Sequence, residues 1–232
     1  RFTFKTLISM DSALARSYFP HSNMLSFAKL GDNQNSSDRK DEMLSQLETG
    51  DIILFSGEGA RSSLIKRSTR CPWSHVGMAI RLEGLDDLHL YESTSVGCLP
   101  DFHSGKLISG VQTVPLQERI RTYPGAVSAR KLEERPSVEM LEALEIMHRQ
   151  FRGRGYEVND LELLKAAYDG PFGMNKRNSA SIFCSELVAF AYQTMGYISR
   201  TLPANEYTPR DFSEAGNLTL LKGGLSREMT IK

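Results

Sequence analysis

Residues 183–196 read FCSELVAFAYQTMG and form a pattern that predicts an amphipathic helix. From Cys184 to Met195, apolar side chains recur three and four residues apart, which is the spacing of one buried helical face. Gly196 is well placed to end the helix. The pattern therefore places Cys184 in the first turn of a helix.

A cysteine in that position has two interpretations. The free backbone N–H groups and the positive dipole end of the first turn favour a thiolate, which is the nucleophilic form. The same N–H groups can hold an oxyanion during acyl transfer. However, free cysteine is commonly a small buried apolar residue, and periodicity alone favours that second interpretation of Cys184.

Before this helix, the sequence pattern changes from strand-like to helix-like at about residue 133. Its earlier part contains short β-branched or alternating runs, and we predict strands at residues 51–55, 75–80, 87–93, 111–114 and 126–132. Its later part is helical, with Ser137 as the cap of a helix that ends near Gly153. Strands followed by helices predict an α+β domain.

A nucleophilic cysteine needs an imidazole base, and five histidines are available: His21, His75, His89, His103 and His148. His21 and His103 lie in irregular polar segments, and His148 lies on a charged helical stretch, so we expect these three at the surface. His75 differs because it opens a strongly apolar strand. It is therefore the preferred base.

The strand pattern also suggests a partner for His75. If the two strands around residues 82–86 form an antiparallel hairpin with Ile80 opposite Asp87, then His75 lies opposite Glu92, with Cβ atoms about 4.5–5.5 Å apart. A slip of two residues keeps the pair on one face. His89 then points to the other face. A histidine–carboxylate pair serves equally as a base with its orienting group or as a structural polar pair.

Metal and phosphate sites are weaker interpretations of the same sequence. Cys71 precedes His75 by four residues and Cys98 precedes His103 by five, which only loosely matches zinc-ligand spacing. No Gly-Lys-Ser/Thr follows the glycines of residues 57–59, so we expect a turn there. We predict no metal and no cofactor.

Composition excludes some partners. Lys+Arg and Asp+Glu both total 28, so the chain lacks the basic excess of a nucleic-acid binder, and we predict no nucleic-acid partner. Three cysteines cannot all pair within the chain, and this odd count favours a reducing compartment such as the cytoplasm.

Residues 31–41 are polar and glycine-containing, which predicts a linker. We therefore divide the chain into an N-terminal arm with its linker, residues 1–41, and a main domain, residues 42–232. The arm carries Phe2, Phe4, Leu7 and Ile8, which makes it a candidate for peripheral membrane contact. A transit peptide is the alternative interpretation of the arm.

Several motifs in order resemble one known superfamily. Residues 50–55 (GDIILF), 73–80 (WSHVGMAI), 91–93 (YES), 183–188 (FCSELV) and 207–212 (YTPRDF) are similar to those of the circularly permuted NlpC-type papain-fold proteins, in particular the YiiX-like branch of permuted cysteine amidases and peptidases. The resemblance implies a small antiparallel sheet or barrel packed on the helix that carries the cysteine.

The resemblance also implies residue roles. Cys184 would be the nucleophile, His75 the general base and then acid, and Glu92 the residue that orients His75; this chain order agrees with permutation. Tyr156 resembles a family tyrosine that lines the site, and Trp73 and Ser74, next to His75, are further candidates for substrate binding. Trp73 fits equally well as a core residue. The stretch from residue 162 to residue 181 is longer than the family needs and is a candidate lid.

Three functions remain in competition. The first is a thiol hydrolase that cleaves an amide bond of a peptide or small amide. The second is a lipid-directed acyltransferase or phospholipase of the lecithin:retinol acyltransferase type, a group within the same superfamily. The third is a non-catalytic binding module that uses the same cleft.

Overall fold

The computed structural model describes residues 40–156, 181–216 and 218–232 of the chain. The predicted N-terminal arm, most of the polar linker and nearly all of the candidate lid lie outside these residues. Leu44–Lys232 forms one compact unit. The division of the chain at residues 41 and 42 stays a prediction.

Short strands and four helices make up the described part of the main unit. The strands are β1 (Ile52–Ser56), β2 (His75–Arg81), β3 (Leu88–Thr94), β4 (Gly110–Pro115), β5 (Ala126–Arg130), β6 (Gly155–Tyr156), β7 (Ser181–Ile182) and β8 (Met229–Thr230). The helices are α1 (Ala60–Thr69), α2 (Leu116–Thr122), α3 (Val138–Phe151) and α4 (Cys184–Met195), with a 3₁₀ turn at Ala204–Glu206. In addition, residues 40–45 are helical.

Six of the strands form one antiparallel sheet in the order β4-β3-β2-β1-β5-β8. The two short strands β6 and β7 pair separately and in parallel. The five longer strands overlap the five predicted from sequence. The result is an antiparallel sheet packed against helices, which agrees with the expected α+β class.

The main core lies between one face of the sheet and helices α3 and α4. Alternate residues of β1 and β2 face this core, and α4 covers them with its predicted apolar stripe. The predicted ends of α4 are confirmed, since it begins at Cys184 and ends at Met195, with Gly196 as its C-cap at a φ of 79°. Ser137 caps α3 as predicted, by accepting a hydrogen bond from the Met140 N–H at 3.4 Å.

The predicted hairpin register is wrong by two residues. Ile80 lies opposite His89 and Arg81 opposite Leu88, so the connection between β2 and β3 is six residues long. Gly84 has a φ of 78° in that connection, and the Leu85 N–H donates to the Leu82 carbonyl, so the turn closes within the loop rather than at the predicted strand ends. The two-residue shift still leaves His75 and Glu92 on one face.

Two further differences concern helices. His148 is buried at 2% exposure, not on the surface, because it lies on the side of α3 that packs against Tyr91 of the sheet. Helices α1 and α2 were not predicted, because each presents many polar residues and only a few buried ones. Within the residues given above, none of the helices has both the length and the apolar content needed to cross a bilayer.

Candidate active site

Cys184 is the first residue of α4, and its side chain is almost fully buried. The backbone N–H groups of Val76 and Ser185 both donate hydrogen bonds to its sulfur. Glu186 holds the start of the helix, because its carboxylate accepts a hydrogen bond from the Phe183 N–H at 3.4 Å. The sulfur therefore lies among backbone donors at the positive end of a helix dipole.

The sheet supplies the Val76 donor because two of its strands separate at the site. The pairing of β1 with β2 extends to Phe55 and His75, but the pairing of β2 with β3 stops at Met78 and Tyr91. The N–H of Val76 thus lies beyond the β2–β3 ladder and serves the Cys184 sulfur instead.

His75 links the thiol to a carboxylate. Its Nε2 donates to Glu92 Oε2 at 2.5 Å, since a carboxylate can only accept. The Cys184 thiol hydrogen bonds to the same imidazole, which leaves Nδ1 as the ring nitrogen that faces the sulfur. The His75 side chain is 14% exposed and packs against the Phe55 ring, with centroids 5.4 Å apart.

Glu92 is fully buried and held on both oxygens. Oε1 accepts from Gln112 Nε2 at 2.8 Å and from Arg119 Nε at 2.8 Å, while Oε2 accepts from Arg119 Nη2 at 3.3 Å in addition to His75. Burial opposes ionisation of this carboxyl, but Arg119 and His75 outweigh it and lower its pKa from 4.5 to about 2. Glu92 is therefore a carboxylate at neutral pH.

Arg119 contacts both carboxylate oxygens of Glu92. Its side chain is only 5% exposed, and its guanidinium lies over the rings of Phe55 and Tyr123, 5.2 and 5.1 Å from their centroids. Burial disfavours its charge, but Glu92 more than compensates and raises its pKa. The guanidinium is thus a fixed positive charge within the protein.

Cys184 and His75 stabilise each other's charged forms. Burial opposes the charge on His75, yet the Cys184 sulfur and then the Glu92 carboxylate raise its pKa from 6.5 to about 9. Burial likewise opposes the thiolate, yet the His75 imidazolium and the two backbone donors lower the pKa of Cys184. The directions of the two pKa shifts favour a thiolate–imidazolium pair at neutral pH.

The three residues predicted to bind substrate lie in different environments. The Tyr156 ring lies 6.0 Å from that of Phe183, the neighbour of Cys184, and under the Arg61 guanidinium at 5.0 Å. Trp73 belongs to the main core, and its Nε1 donates to Glu228 Oε1 at 3.0 Å.

Ser74 is buried next to His75. Its hydroxyl accepts a hydrogen bond from the Gly57 N–H at 3.0 Å and donates one to the Phe55 carbonyl at 3.3 Å, so it ties the end of β1 to the start of β2. A role in substrate binding for Ser74, Trp73 and Tyr156 stays a prediction.

The other two cysteines are not among the hydrogen-bond partners of Cys184, His75 or Glu92 described above. Cys71 is buried with its sulfur 3.4 Å from the Ser213 hydroxyl, and Cys98 is exposed. All three cysteines are free thiols. Among the side chains that the structure describes, no group of three histidine, cysteine or acidic residues is arranged to hold a metal ion.

Gln112 and Arg119 were missed by sequence reasoning. Gln112 lies directly opposite Glu92 in the β3–β4 pairing, and the only signal for it was a polar residue inside an apolar strand. Arg119 shares a buried face of α2 with Leu116 and Ile120, but hydrophobic periodicity cannot indicate a buried cation.

On an α+β fold, the site therefore combines a buried cysteine at a helix start, a histidine that contacts it and a carboxylate that holds the histidine. These are the groups that an activated thiol nucleophile requires.

No protein-family model matches the chain, and no curated protein does. Among solved structures, the chain is similar to the metalloprotein YiiX from Escherichia coli O157:H7, a DUF1105 protein. The identity is 23%, the match covers 65% of this chain and 67% of YiiX, and the TM-score is 0.46. We therefore base the proposed function on the geometry of the site.

Proposed function

We propose that this protein is a thiol hydrolase of the amidase or peptidase kind, with Cys184 as nucleophile, His75 as base and acid, and Glu92 as the residue that orients His75. One observation carries the proposal: the His75 ring lies between the Cys184 thiol and the Glu92 carboxylate, with Nε2 2.5 Å from Oε2. If His75 and Glu92 were only a structural polar pair, the other ring nitrogen of His75 would need no particular partner. Here that nitrogen faces the thiol of Cys184 at the start of α4.

The first half of the reaction forms an acyl-enzyme. The Cys184 thiolate attacks the carbonyl carbon of the amide, and the N–H of Cys184 at the positive end of α4 is placed to stabilise the oxyanion. His75 then gives its Nδ1 proton to the leaving nitrogen as the C–N bond breaks. The amine leaves, and a thioester remains on Cys184.

The second half releases the acid. Neutral His75 takes a proton from water at Nδ1, and the resulting hydroxide attacks the thioester carbonyl. The C–S bond breaks, the carboxylic acid leaves, and the thiolate and imidazolium return. Throughout both halves Glu92 accepts the Nε2–H, which keeps the ring in one orientation and one tautomer.

We further propose that the domain is a circularly permuted papain-like fold of the NlpC type. The support is the chain order, since His75 and Glu92 come from strands that precede the helix of Cys184. The antiparallel sheet and the helix that packs on it agree with that proposal in architecture.

An acylation experiment tests the proposed activity. The protein is mixed with 4-nitrophenyl acetate, release of 4-nitrophenolate is followed by stopped flow, and the quenched protein is mapped by mass spectrometry. We expect a burst of product with the acetyl group on Cys184. Cys184→Ala should abolish the burst, whereas Cys98→Ala, which removes the exposed thiol, should leave it unchanged.

Two outcomes would contradict the proposal. One is full turnover by the Cys184→Ala protein, and the other is an acetyl group found on Cys98 alone.

If the acetyl group is found on Cys184, a library of N-acyl amides and peptides would identify the physiological class of substrate.

A lipid-directed acyltransferase or phospholipase is the second candidate. The loop between β3 and β4 exposes Val96 by 65%, Phe102 by 47% and Leu107 by 63%, and it leaves the sheet at the end where His75 and Glu92 lie. Exposed apolar residues near a site suit a lipid surface. Co-sedimentation with phospholipid vesicles, reduced in a Val96→Ser/Leu107→Ser variant, would favour this candidate over the first.

A non-catalytic binding module uses the same cleft without turnover. It predicts a ligand that raises the thermal stability of the wild type and of Cys184→Ala equally, with no acyl-enzyme in the experiment above. The lowered pKa of the Cys184 thiol argues against this function, since a binding cleft has no need of a thiolate.

A further inference from the structure

Arg119 and Glu92 form a buried ion pair with no direct contact to the reacting sulfur. The side chains are 5% and 0% exposed, and Arg119 reaches both carboxylate oxygens through Nε and Nη2. Buried ion pairs are costly to form, so they are weak evidence of a stabilising purpose. The charges of the site indicate instead that the pair of Arg119 and Glu92 has a role in its chemistry.

The charges of the site add up to zero only when Arg119 is included. In the thiolate–imidazolium form of the site, Cys184 and Glu92 are negative, while His75 is positive. These three groups together carry one net negative charge in a place that is almost closed to water. The Arg119 guanidinium cancels that charge.

We infer that Arg119 is a positioning residue that acts through Glu92: it neutralises and orients the carboxylate so that His75 keeps its Nε2–H directed at Oε2 and retains the proton at Nδ1. The inference rests on the proposed function, because it names what sustains the thiolate of that same site. Arg119 does not touch substrate or the reacting atoms.

Arg119 has contacts besides Glu92. Leu116 and Ile120, on the same helix, are buried, and the guanidinium lies over the rings of Phe55 and Tyr123. These contacts support the position of the cation beside the carboxylate.

The groups around Arg119 limit how a lost charge can be replaced. The titratable groups that face it are Glu92 of β3, Tyr123 after α2 and Cys98 of the β3–β4 loop. None of these is a cation at neutral pH. The nearest response to loss of Arg119 is therefore a proton on Glu92, which would compete with the His75 Nε2–H and weaken the imidazolium.

The test measures the thiolate without requiring turnover. The rate of alkylation of Cys184 by iodoacetamide is recorded against pH for the wild type, Arg119→Met and Arg119→Lys, with site-resolved mass spectrometry. We expect Arg119→Met to raise the apparent pKa of Cys184 by about one unit, which lowers its rate about tenfold below that pKa. Arg119→Lys keeps the charge but loses the two-point contact, so its shift should be smaller.

A matched control and a double variant complete the design. Arg121→Met removes an exposed cation of the same helix that pairs with Glu118, and it should leave the profile unchanged. If Arg119 acts through Glu92, Arg119→Met should have no further effect on the alkylation profile in a Glu92→Gln background. The double variant removes both charges of the buried pair, so neither is left unpaired.

The outcomes separate this inference from the proposed function. An Arg119→Met protein that folds and keeps the wild-type alkylation profile overturns the role of Arg119, as does an equal further shift in the Glu92→Gln background. A wild type whose Cys184 alkylates as a thiolate but forms no acyl-enzyme leaves that role intact and contradicts the hydrolase instead.

Discussion

His75 and Glu92 are in direct contact although they are not opposite each other in the hairpin. The strand register would place Glu92 opposite Gly77, two residues beyond His75, and the contact at 2.5 Å runs diagonally. Gly77 shares the face of β2 with His75, and its missing side chain leaves room there for Leu90 of β3. The glycine of the HVGMAI stretch thus lets β2 and β3 pack closely beside the contact of His75 with Glu92.

Replacement of Gly77 by alanine tests that relationship. A Cβ there would lie 2.7 Å from Leu90 Cδ1 and 3.2 Å from the Tyr91 carbonyl oxygen, so the buried Leu90 side chain would have to move. We expect Gly77→Ala to lower the free energy of unfolding by about 1–3 kcal/mol, measured by urea titration, and to reduce the alkylation rate of Cys184.

Gly59→Ala is the matched control, because its added Cβ meets no atom within 4 Å and its φ is −68°. Equal stability of Gly77→Ala and Gly59→Ala would show that the close approach at Gly77 has no energetic consequence.

The buried pair of Glu92 and Arg119 predicts strong coupling in stability. Glu92→Gln leaves a buried guanidinium without its counter-charge, and we expect it to cost about 3–5 kcal/mol in urea unfolding. Arg119→Met should be similarly costly, and the double variant should cost clearly less than the sum of the two. Strict additivity would contradict a direct buried ion pair.

The exposed pair of Glu118 and Arg121 on the same helix serves as the comparison. Its double-mutant cycle should show no measurable coupling, because solvent screens the two charges.

His148 predicts acid sensitivity. Burial, then the charges of His103 and Arg152, lower its pKa from 6.5 to about 4, and its Nε2 bonds the Thr113 hydroxyl at 2.8 Å. Because the folded state binds the proton less tightly than the unfolded state, the stability is complete above pH 6.5 and is lost as the pH falls through about 4. His148→Gln should make the free energy of unfolding depend less on pH between these two values. An unchanged slope would contradict the assignment.

How far the sequence predicts this protein depends on which interactions are local. The two main helices follow from periodicity and caps, because Ser137 and Gly196 mark their ends by backbone chemistry that a sequence displays directly. Strand alternation predicts that His75 and Glu92 lie on the same face of the sheet, and a two-residue error in register does not change that. That error itself arose in a six-residue loop, whose turn the sequence only partly indicates.

The surroundings of Glu92 could not be predicted in the same way. Gln112 and Arg119 meet the carboxylate through the pairing of β3 with β4 and the docking of α2, and both contacts link residues distant in sequence. A buried arginine contradicts the ordinary pattern of burial, so it is expected only once its partner is known. His148 was misplaced for the same reason, since its charged neighbours on α3 hid its buried side.

The rate of Cys184 alkylation against pH, in the wild type and in His75→Ala, tests the central claim most directly. With iodoacetamide and site-resolved mass spectrometry, we predict a reactive thiolate well below the ordinary thiol pKa of about 8.5, with a change in reactivity near pH 9 as His75 loses its proton. His75→Ala should abolish the low-pH reactivity. A Cys184 that stays inert, or that reacts identically without His75, would contradict the thiolate–imidazolium pair.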